Sequence, residues 1–218
     1  MIAATHDFDS EAALARRLAE DVAGWLRDEI ARKDFAVLAV SGGTTPKLFF
    51  AALSNIQLEW TKVQVTLVDE RQVPEDSERS NAQLVRQTLL QNFAAAAQFV
   101  PLFENPNARN LENLTVAVLG MGNDGHTASF FPGGNHLKAA LDIHTTDTII
   151  EISAPGAGEP RLTFTLARLL AARHLCLHIQ GADKKAVLEK ALAGSDEFEM
   201  PVRAVLNSAK PLMLYWCP

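Results

Sequence analysis

Residues 113–134, NLTVAVLGMGNDGHTASFFPGG, join an apolar strand to a glycine-dense turn that carries an aspartate and a histidine. The first seven residues have the pattern of a buried strand, and the glycines that follow allow backbone conformations closed to other residues. Asp124 and His126 are therefore expected at the carboxyl end of a strand, where open α/β sheets bind their ligands. A carboxylate beside a histidine suits proton transfer near neutral pH, because it orients the imidazole and raises its basicity.

The composition is that of an ordinary globular protein. The 218 residues are 48% hydrophobic and 21% charged, which predicts one domain spanning residues 1–218. A net charge of −6 argues against nucleic-acid binding, which depends on basic patches. Cys176 and Cys217 make no disulfide framework, and neither a secretory leader nor a membrane span is evident. We expect a cytoplasmic protein with no nucleic-acid or membrane partner; the oligomeric state, monomer or dimer, stays open.

Apolar runs of strand length alternate with segments of helical periodicity. The predicted strands are Phe35–Val40, Val63–Val68, Leu114–Leu119, Thr148–Ile152, His174–Ile179 and Leu212–Trp216. The predicted helices are Ser10–Ala31, Pro46–Ser54, Ser80–Phe93, Leu162–Ala171 and Lys184–Leu192. Phe103–Asn113 and Phe131–Ala140 are predicted as surface connections. The alternation predicts an α/β fold with a mostly parallel sheet flanked by helices on both faces.

The loop Ser41-Gly42-Gly43-Thr44-Thr45-Pro46 follows the first predicted strand directly. Its glycines allow backbone N–H groups to approach an anion, its hydroxyls are further donors, and the next helix favours negative charge at its start. It is not a P-loop, because the Gly-Lys-Ser/Thr ending is missing. A well-capped strand-to-helix turn explains the same residues equally well.

Three further basic residues stand near predicted strand or helix ends. Arg71 follows a strand in the run Asp69-Glu70-Arg71 and could grip a phosphate or carboxylate, although a solvated loop is the ordinary fate of such a run. Lys184 falls in the first turn of a predicted helix, where a cation is unfavourable unless an anion binds nearby. Arg161 has nothing local to distinguish it from a surface charge.

Two other readings of these patterns are disfavoured. Gly120 to Gly125 matches the dinucleotide fingerprint G-x-G-x-x-G, but the segment after it leaves little room for the long helix that this turn requires. His174, Cys176 and His178 share one face of a strand, yet the outer pair stands roughly 13 Å apart along it. We therefore interpret that set as a buried polar stripe and predict no metal site.

Taken together, these motifs resemble the 6-phosphogluconolactonase family. The likeness rests on the Ser41–Pro46 loop, on Asp69-Glu70-Arg71 with Val73-Pro74 and Ser80-Asn81, and on the Gly120–Ser129 turn with Phe131-Pro132. It extends through Arg161-Leu162-Thr163 and Gly181-x-x-Lys184, and so covers nearly the whole chain. The resemblance implies a sugar-isomerase-like three-layer sandwich.

The family hydrolyses 6-phospho-D-glucono-1,5-lactone to 6-phosphogluconate, the second step of the oxidative pentose phosphate pathway, without an organic cofactor or catalytic metal. By resemblance, His126 would be the general base and Asp124 would orient it. The same likeness implies that the phosphosugar lactone is bound by Ser41, Gly42, Gly43, Thr44, Thr45, Asp69, Arg71, Gly125, Arg161 and Lys184. The group that stabilises the oxyanion is not evident from the residues.

Two alternatives stay open at this stage. Glucosamine-6-phosphate deaminases share the Asp-Gly-His turn, but they tend to continue Ile-Ala-Phe-Asn-Glu-Pro where this chain has Thr127 to Pro132. The missing acidic residue counts against ring opening and deamination. A non-catalytic sugar-phosphate sensor would use the same fold, although such regulators usually carry a DNA-binding region and no basic helical extension is present here.

Overall fold

A computed structural model describes residues 1–218. The strands are β1 Ile2–Asp7, β2 Ala36–Val40, β3 Val63–Leu67, β4 Asp69–Arg71, β5 Gln98–Val100, β6 Val116–Leu119, β7 Ile149–Ile152, β8 Arg161–Phe164, β9 His174–Gln180 and β10 Leu212–Cys217. The α-helices are α1 Glu11–Lys33, α2 Lys47–Ser54, α3 Asn81–Thr88, α4 Leu137–Leu141, α5 Leu166–Leu170, α6 Ala182–Leu192 and α7 Val202–Leu206. Short 3₁₀ turns lie at Trp60–Lys62, Asn92–Ala96 and Pro106–Asn110.

Seven strands form one parallel sheet in the order β1-β10-β9-β6-β2-β3-β5. The predicted α/β class with a mostly parallel sheet is confirmed. Connections from β2 lead toward β3 and β5, whereas connections from β6 lead the other way, toward β9 and β10. The direction of winding therefore reverses between the neighbouring strands β2 and β6, and such a reversal opens a crevice at the carboxyl ends of the two strands.

Helices cover both faces of this sheet. Because parallel crossovers are right-handed, α1 and α2 lie on one face and α6 and α7 on the other. Helix α1 begins after Ser10, whose side chain accepts a hydrogen bond from the Ala13 N–H at 3.3 Å, as an N-cap does. A continuous core of 61 buried residues runs from Leu14 in α1 to Cys217 in β10. No helix is long and apolar enough to cross a membrane.

A second, antiparallel sheet of three strands, β4-β8-β7, stands beside the crevice. The sequence-based assignment of this region was wrong in two places. Asp69–Arg71 is a strand rather than a loop, and the predicted helix Leu162–Ala171 is strand β8 followed by the short helix α5. Residues 161–163 pair with β4 on one side and residues 161–164 pair with β7 on the other, so tertiary pairing decides their conformation over local periodicity.

Smaller differences concern short elements. Strands β1 and β5 and helices α4 and α7 were not predicted, and helix α3 ends at Thr88 rather than at Phe93. Strand β1 is the outermost strand of its sheet and alternates partly buried with exposed residues, so it lacks the apolar run that marks an interior strand. Phe131, in a predicted surface connection, is 4% exposed.

Candidate active site

A cavity of about 270 Å³ opens where the winding of the sheet reverses. It brings together ten of the twelve predicted site residues, from five separate segments of the chain: Ser41, Gly42, Gly43, Thr44, Thr45, Asp69, Arg71, His126, Arg161 and Lys184. Asp124 lies behind His126 and does not line the cavity. Gly125 does not line it either, because it turns away and packs against Met200.

The Ser41 loop is fastened to the end of β6. The backbone N–H and the hydroxyl of Ser41 both donate to the Val118 carbonyl, at 3.0 and 3.1 Å, and the Gly120 N–H donates to Ser41 Oγ at 3.0 Å. Ser41 thus joins the two strand ends between which the crevice opens. Helix α2 begins a few residues later at Lys47, so the partial positive charge of its N-terminus lies next to the cavity.

Gly42 and Gly43 are required by their surroundings. A Cβ on Gly42 would lie 1.9 Å from Asn81 Oδ1, and Gly43 has a φ of +91°. Asn81 is itself fixed, because its side-chain amide donates to the Asp69 carbonyl at 2.9 Å. The backbone of the Ser41 loop therefore packs directly against the Asn81 side chain, and this contact holds the shape of the loop at the cavity wall.

Asp124 and His126 form a hydrogen-bonded pair. Asp124 Oδ1 lies 2.6 Å from His126 Nδ1 and also accepts the His126 backbone N–H at 3.1 Å. Burial opposes ionisation of Asp124, but the hydrogen bonds from His126 outweigh it, and the pKa of this carboxyl lies below its ordinary value. An ionised carboxylate only accepts, so Nδ1 carries the proton and Nε2 is left as a proton acceptor. The His126 side chain is 29% exposed and lines the cavity.

The glycine turn leaves room for this pair. A Cβ on Gly122 would lie 2.2 Å from His126 Cε1 and 2.5 Å from Asp124 Oδ1, so the imidazole rests against bare backbone. The Gly122 N–H donates to the His126 carbonyl at 2.8 Å and closes the turn. The next helix, α4, starts only at Leu137 and has five residues, so the turn does not lead into the long helix that a dinucleotide fingerprint requires.

Two arginines stand opposite each other on neighbouring strands of the small sheet. Arg71 on β4 pairs with Arg161 on β8, and the Nε of each is buried without a hydrogen-bond partner in the protein. Arg161 is 6% exposed, and burial lowers the pKa of its guanidinium although Asp69 opposes the shift. Its Nη1 lies 3.9 Å from Asp69 Oδ2. Arg161, which is buried, and Arg71, which is partly buried, thus bring two positive charges to the cavity beside the Asp69 carboxylate, which suits an anionic ligand.

Lys184 reaches the cavity from the start of α6. Burial lowers the pKa of its ammonium group, and the charge of Asp124 acts in the opposite direction. His178, on β9, lines the same cavity; it is 3% exposed and packs edge-on against Phe49. Burial lowers the pKa of His178 to about 4, so this side chain is neutral at physiological pH. Of the polar stripe His174, Cys176 and His178, only His178 lines the cavity.

Several residues around the cavity were not assigned a role from the sequence. Ser129 is fully buried and donates to Asp69 Oδ2 at 2.5 Å, which fixes that carboxylate. Glu70 accepts the backbone N–H groups of Asn81 and Ala82, at 2.8 and 2.7 Å, and so anchors the start of α3. Ser129 is the last residue of the Gly120–Ser129 motif, and this position was a sequence signal that it lies near the site. The role of Glu70 had no local signal, because the helix start that it anchors lies ten or more residues away.

Comparison with known proteins agrees with this geometry. A family model described as glucosamine-6-phosphate isomerases/6-phosphogluconolactonase matches residues 9–216. A 6-phosphogluconolactonase of Rhizobium meliloti is 50% identical, covering 100% of both chains, and one of Pseudomonas putida is 43% identical over 98% of this chain and 92% of its own.

Solved structures give the same result. A 6-phosphogluconolactonase from Shewanella baltica superposes with a TM-score of 0.94 at 35% identity and covers 99% of this chain and 97% of its own. A monomeric glucosamine-6-phosphate deaminase reaches a TM-score of 0.74 at 16% identity, which shows a shared fold only. The chain therefore belongs to the glucosamine-6-phosphate isomerase/6-phosphogluconolactonase family.

Proposed function

We propose that this protein hydrolyses 6-phospho-D-glucono-1,5-lactone to 6-phospho-D-gluconate, the second step of the oxidative pentose phosphate pathway. The observation that carries the proposal is the Asp124–His126 pair, which presents a bare imidazole nitrogen to a cavity lined by Arg71, Arg161 and Lys184. The names of relatives at 43–50% identity support the same reaction.

In the first step a water molecule attacks the lactone carbonyl carbon. His126 Nε2 takes a proton from this water as the new C–O bond forms, and the carbonyl π electrons move to the oxygen. Asp124, ionised and 2.6 Å from Nδ1, stabilises the imidazolium that results. In the second step the tetrahedral intermediate collapses and the bond to the ring oxygen breaks. His126 returns its proton to that oxygen, which leaves as a hydroxyl, and the new carboxylic acid loses a proton to solvent.

The phosphate is held away from the reacting carbon by cations. The buried Nε atoms of Arg71 and Arg161 lack protein partners, and phosphate oxygens would satisfy them. Lys184, in the first turn of α6, and the start of α2 add positive potential. Asp69, fixed by Ser129, is an acceptor for a sugar hydroxyl.

The decisive experiment compares wild type with His126→Ala. Freshly generated lactone is supplied, its hydrolysis is coupled to oxidation of 6-phosphogluconate, and spontaneous opening is subtracted. We expect kcat to fall by about 10²–10⁴-fold in the variant, the range that general bases contribute, while binding of 6-phosphogluconate persists. His144→Ala is the matched control, because His144 is exposed and its side chain has no role at the cavity. A fully active His126→Ala enzyme would refute the base assignment.

Binding without turnover by wild type would instead favour a sugar-phosphate sensor, and turnover of glucosamine 6-phosphate would favour a deaminase. Arg71→Ala and Lys184→Ala are expected to weaken binding more than they slow the chemical step.

We further propose that the enzyme works in the cytoplasm and without a nucleic-acid partner, since its net charge is negative and both cysteines are free.

A further inference from the structure

The Phe131 side chain contacts the imidazole of His126. The ring centroids are 4.1 Å apart and the planes are inclined by 30°, so Phe131 covers a face of the imidazole. Phe131 is 4% exposed and is therefore held by its surroundings. The Arg161 guanidinium carbon lies 5.3 Å from the centroid of the same phenyl ring, so one side chain contacts both the base and an anion-binding arginine.

The imidazole needs this contact because its other restraints act on one edge of the ring. Asp124 Oδ1 holds Nδ1 at 2.6 Å, and the backbone of Gly122 lies against Cε1 and Nδ1. A hydrogen bond at Nδ1 alone lets the ring swing about that contact and carry Nε2 away from the cavity. A flat apolar ring against the imidazole face restricts that swing without competing for either nitrogen.

We propose that Phe131 is a positioning residue for the proposed hydrolysis: its ring holds the His126 imidazole in the orientation that keeps Nδ1 on Asp124 and points Nε2 at the attacking water. The inference deepens the proposed function and rests on it. Arg161 is secured independently, since its Nη2 donates to the Ala157 carbonyl at 2.5 Å. Phe131 therefore acts on the chemical step through His126 more than on phosphate binding through Arg161.

The test uses Phe131→Leu, which keeps an apolar side chain but removes the flat ring. We expect kcat to fall about tenfold, because a small misplacement of a catalytic group is costly, while KM stays within about twofold. Phe131→Tyr retains the ring and is expected to restore most of the lost kcat. Phe99→Leu is the matched control: Phe99 also lies beneath an arginine, Arg86, at 4.8 Å, but on strand β5 away from the cavity.

A second readout follows the base directly. In ¹⁵N-detected NMR of the folded enzyme, wild-type His126 is expected to show a protonated Nδ1 and a bare Nε2. Phe131→Leu is expected to show a mixture of the two tautomers as the contact with Asp124 loosens. Thermal unfolding of each variant shows whether it is folded under assay conditions.

Three results would overturn the proposal. The first is a folded Phe131→Leu enzyme with wild-type kcat, and the second is a fall in kcat with an unchanged tautomer, since the ring would then act on something other than His126. The third is a large rise in KM alone. If wild type itself fails to accelerate lactone opening, the proposed function fails, but the tautomer measurement still decides whether Phe131 positions His126.

Discussion

The hydroxyl of Ser129 donates to Asp69 Oδ2 across 2.5 Å, and both side chains are buried beside Arg161. The serine comes from the loop after β6 and the aspartate from β4, so this bond joins the parallel sheet to the small antiparallel sheet. The orientation of the Asp69 carboxylate in the cavity depends on it.

Ser129→Ala leaves a buried carboxylate oxygen without its donor. We expect the free energy of unfolding to fall by about 1.5–3 kcal/mol, the usual worth of a hydrogen bond to a charged group, and KM for the lactone to rise. Chemical denaturation and initial rates measure the two effects. Ser54→Ala, which removes a buried hydroxyl bonded to the Ala51 carbonyl in α2, should lower stability without changing KM. Equal KM values in the wild type and Ser129→Ala would contradict the assignment.

Asp124→Asn tests the tautomer of His126. An asparagine amide donates to Nδ1, so the ring proton moves to Nε2 and the base is lost. We expect kcat to fall about 10²–10⁴-fold, as for loss of a general base, while binding of 6-phosphogluconate is retained. Asp142→Asn, at the exposed end of α4, is the control for loss of one negative charge. Retention of more than a tenth of wild-type kcat would contradict the mechanism.

The pKa of Lys184 determines how ligand binding should respond to alkaline pH. Burial is the largest cause that lowers its pKa below the ordinary 10.5, so the ammonium loses its proton earlier than a surface lysine. Phosphate binding needs the charged form, and affinity for 6-phosphogluconate should therefore fall as pH rises toward 10. Calorimetric titration between pH 7 and 10 measures it. Lys184→Arg should bind with little dependence on pH in this range; an equal decline in both proteins would assign the effect to another group.

Gly122→Ala should damage the active site without unfolding the protein. The new Cβ would lie 2.2 Å from His126 Cε1, so the imidazole has to move, and we expect kcat to fall by about 10²-fold. Gly24→Ala is the contrasting change, because Gly24 lies inside α1 with nothing within 4 Å of an added Cβ. That variant should gain about 0.5–1 kcal/mol of stability with unchanged kinetics. Similar kinetics in the two variants would show that the turn tolerates a side chain.

Glu29 gives a prediction about stability and pH. Its carboxylate, 7% exposed in α1, pairs with Arg32 at 2.6 Å and with Arg173 at 3.2 Å. Burial opposes ionisation, but the cations outweigh it and the pKa lies below 4.5. A depressed pKa contributes stability above pH 4.5 that is lost as the pH falls through the folded-state value. Glu29→Gln should therefore be less stable than wild type at pH 7, with a smaller difference at pH 3; denaturant unfolding at both values measures this.

The sequence was sufficient for five of the seven strands of the parallel sheet, because these apolar strands alternate with periodic helices and need no long-range information. It also brought ten of the twelve candidate residues to one cavity, because most of them follow strands or start helices at one edge of the parallel sheet. Arg161, at the start of β8, was assigned by the family resemblance alone. The sequence could not predict β4 and β8, which exist as strands only because Arg71 pairs with Arg161 and Asp69 with Thr163. The contact between Phe131 and His126 depends on the backbone path of the turn, which Gly122 and Gly125 determine. Sequence patterns do not predict that path.

The order of strands has a consequence for how the chain is made. Strand β10, the last element, lies inside the sheet between β9 and β1, and β1 pairs with no other strand. During synthesis β1 has no partner in the sheet until residues 212–217 emerge. The nascent protein must therefore carry β1 unpaired while the other strands of the sheet are made. Loss of residues 212–217 would also leave β1 without a partner, so it would remove two strands from the sheet instead of one.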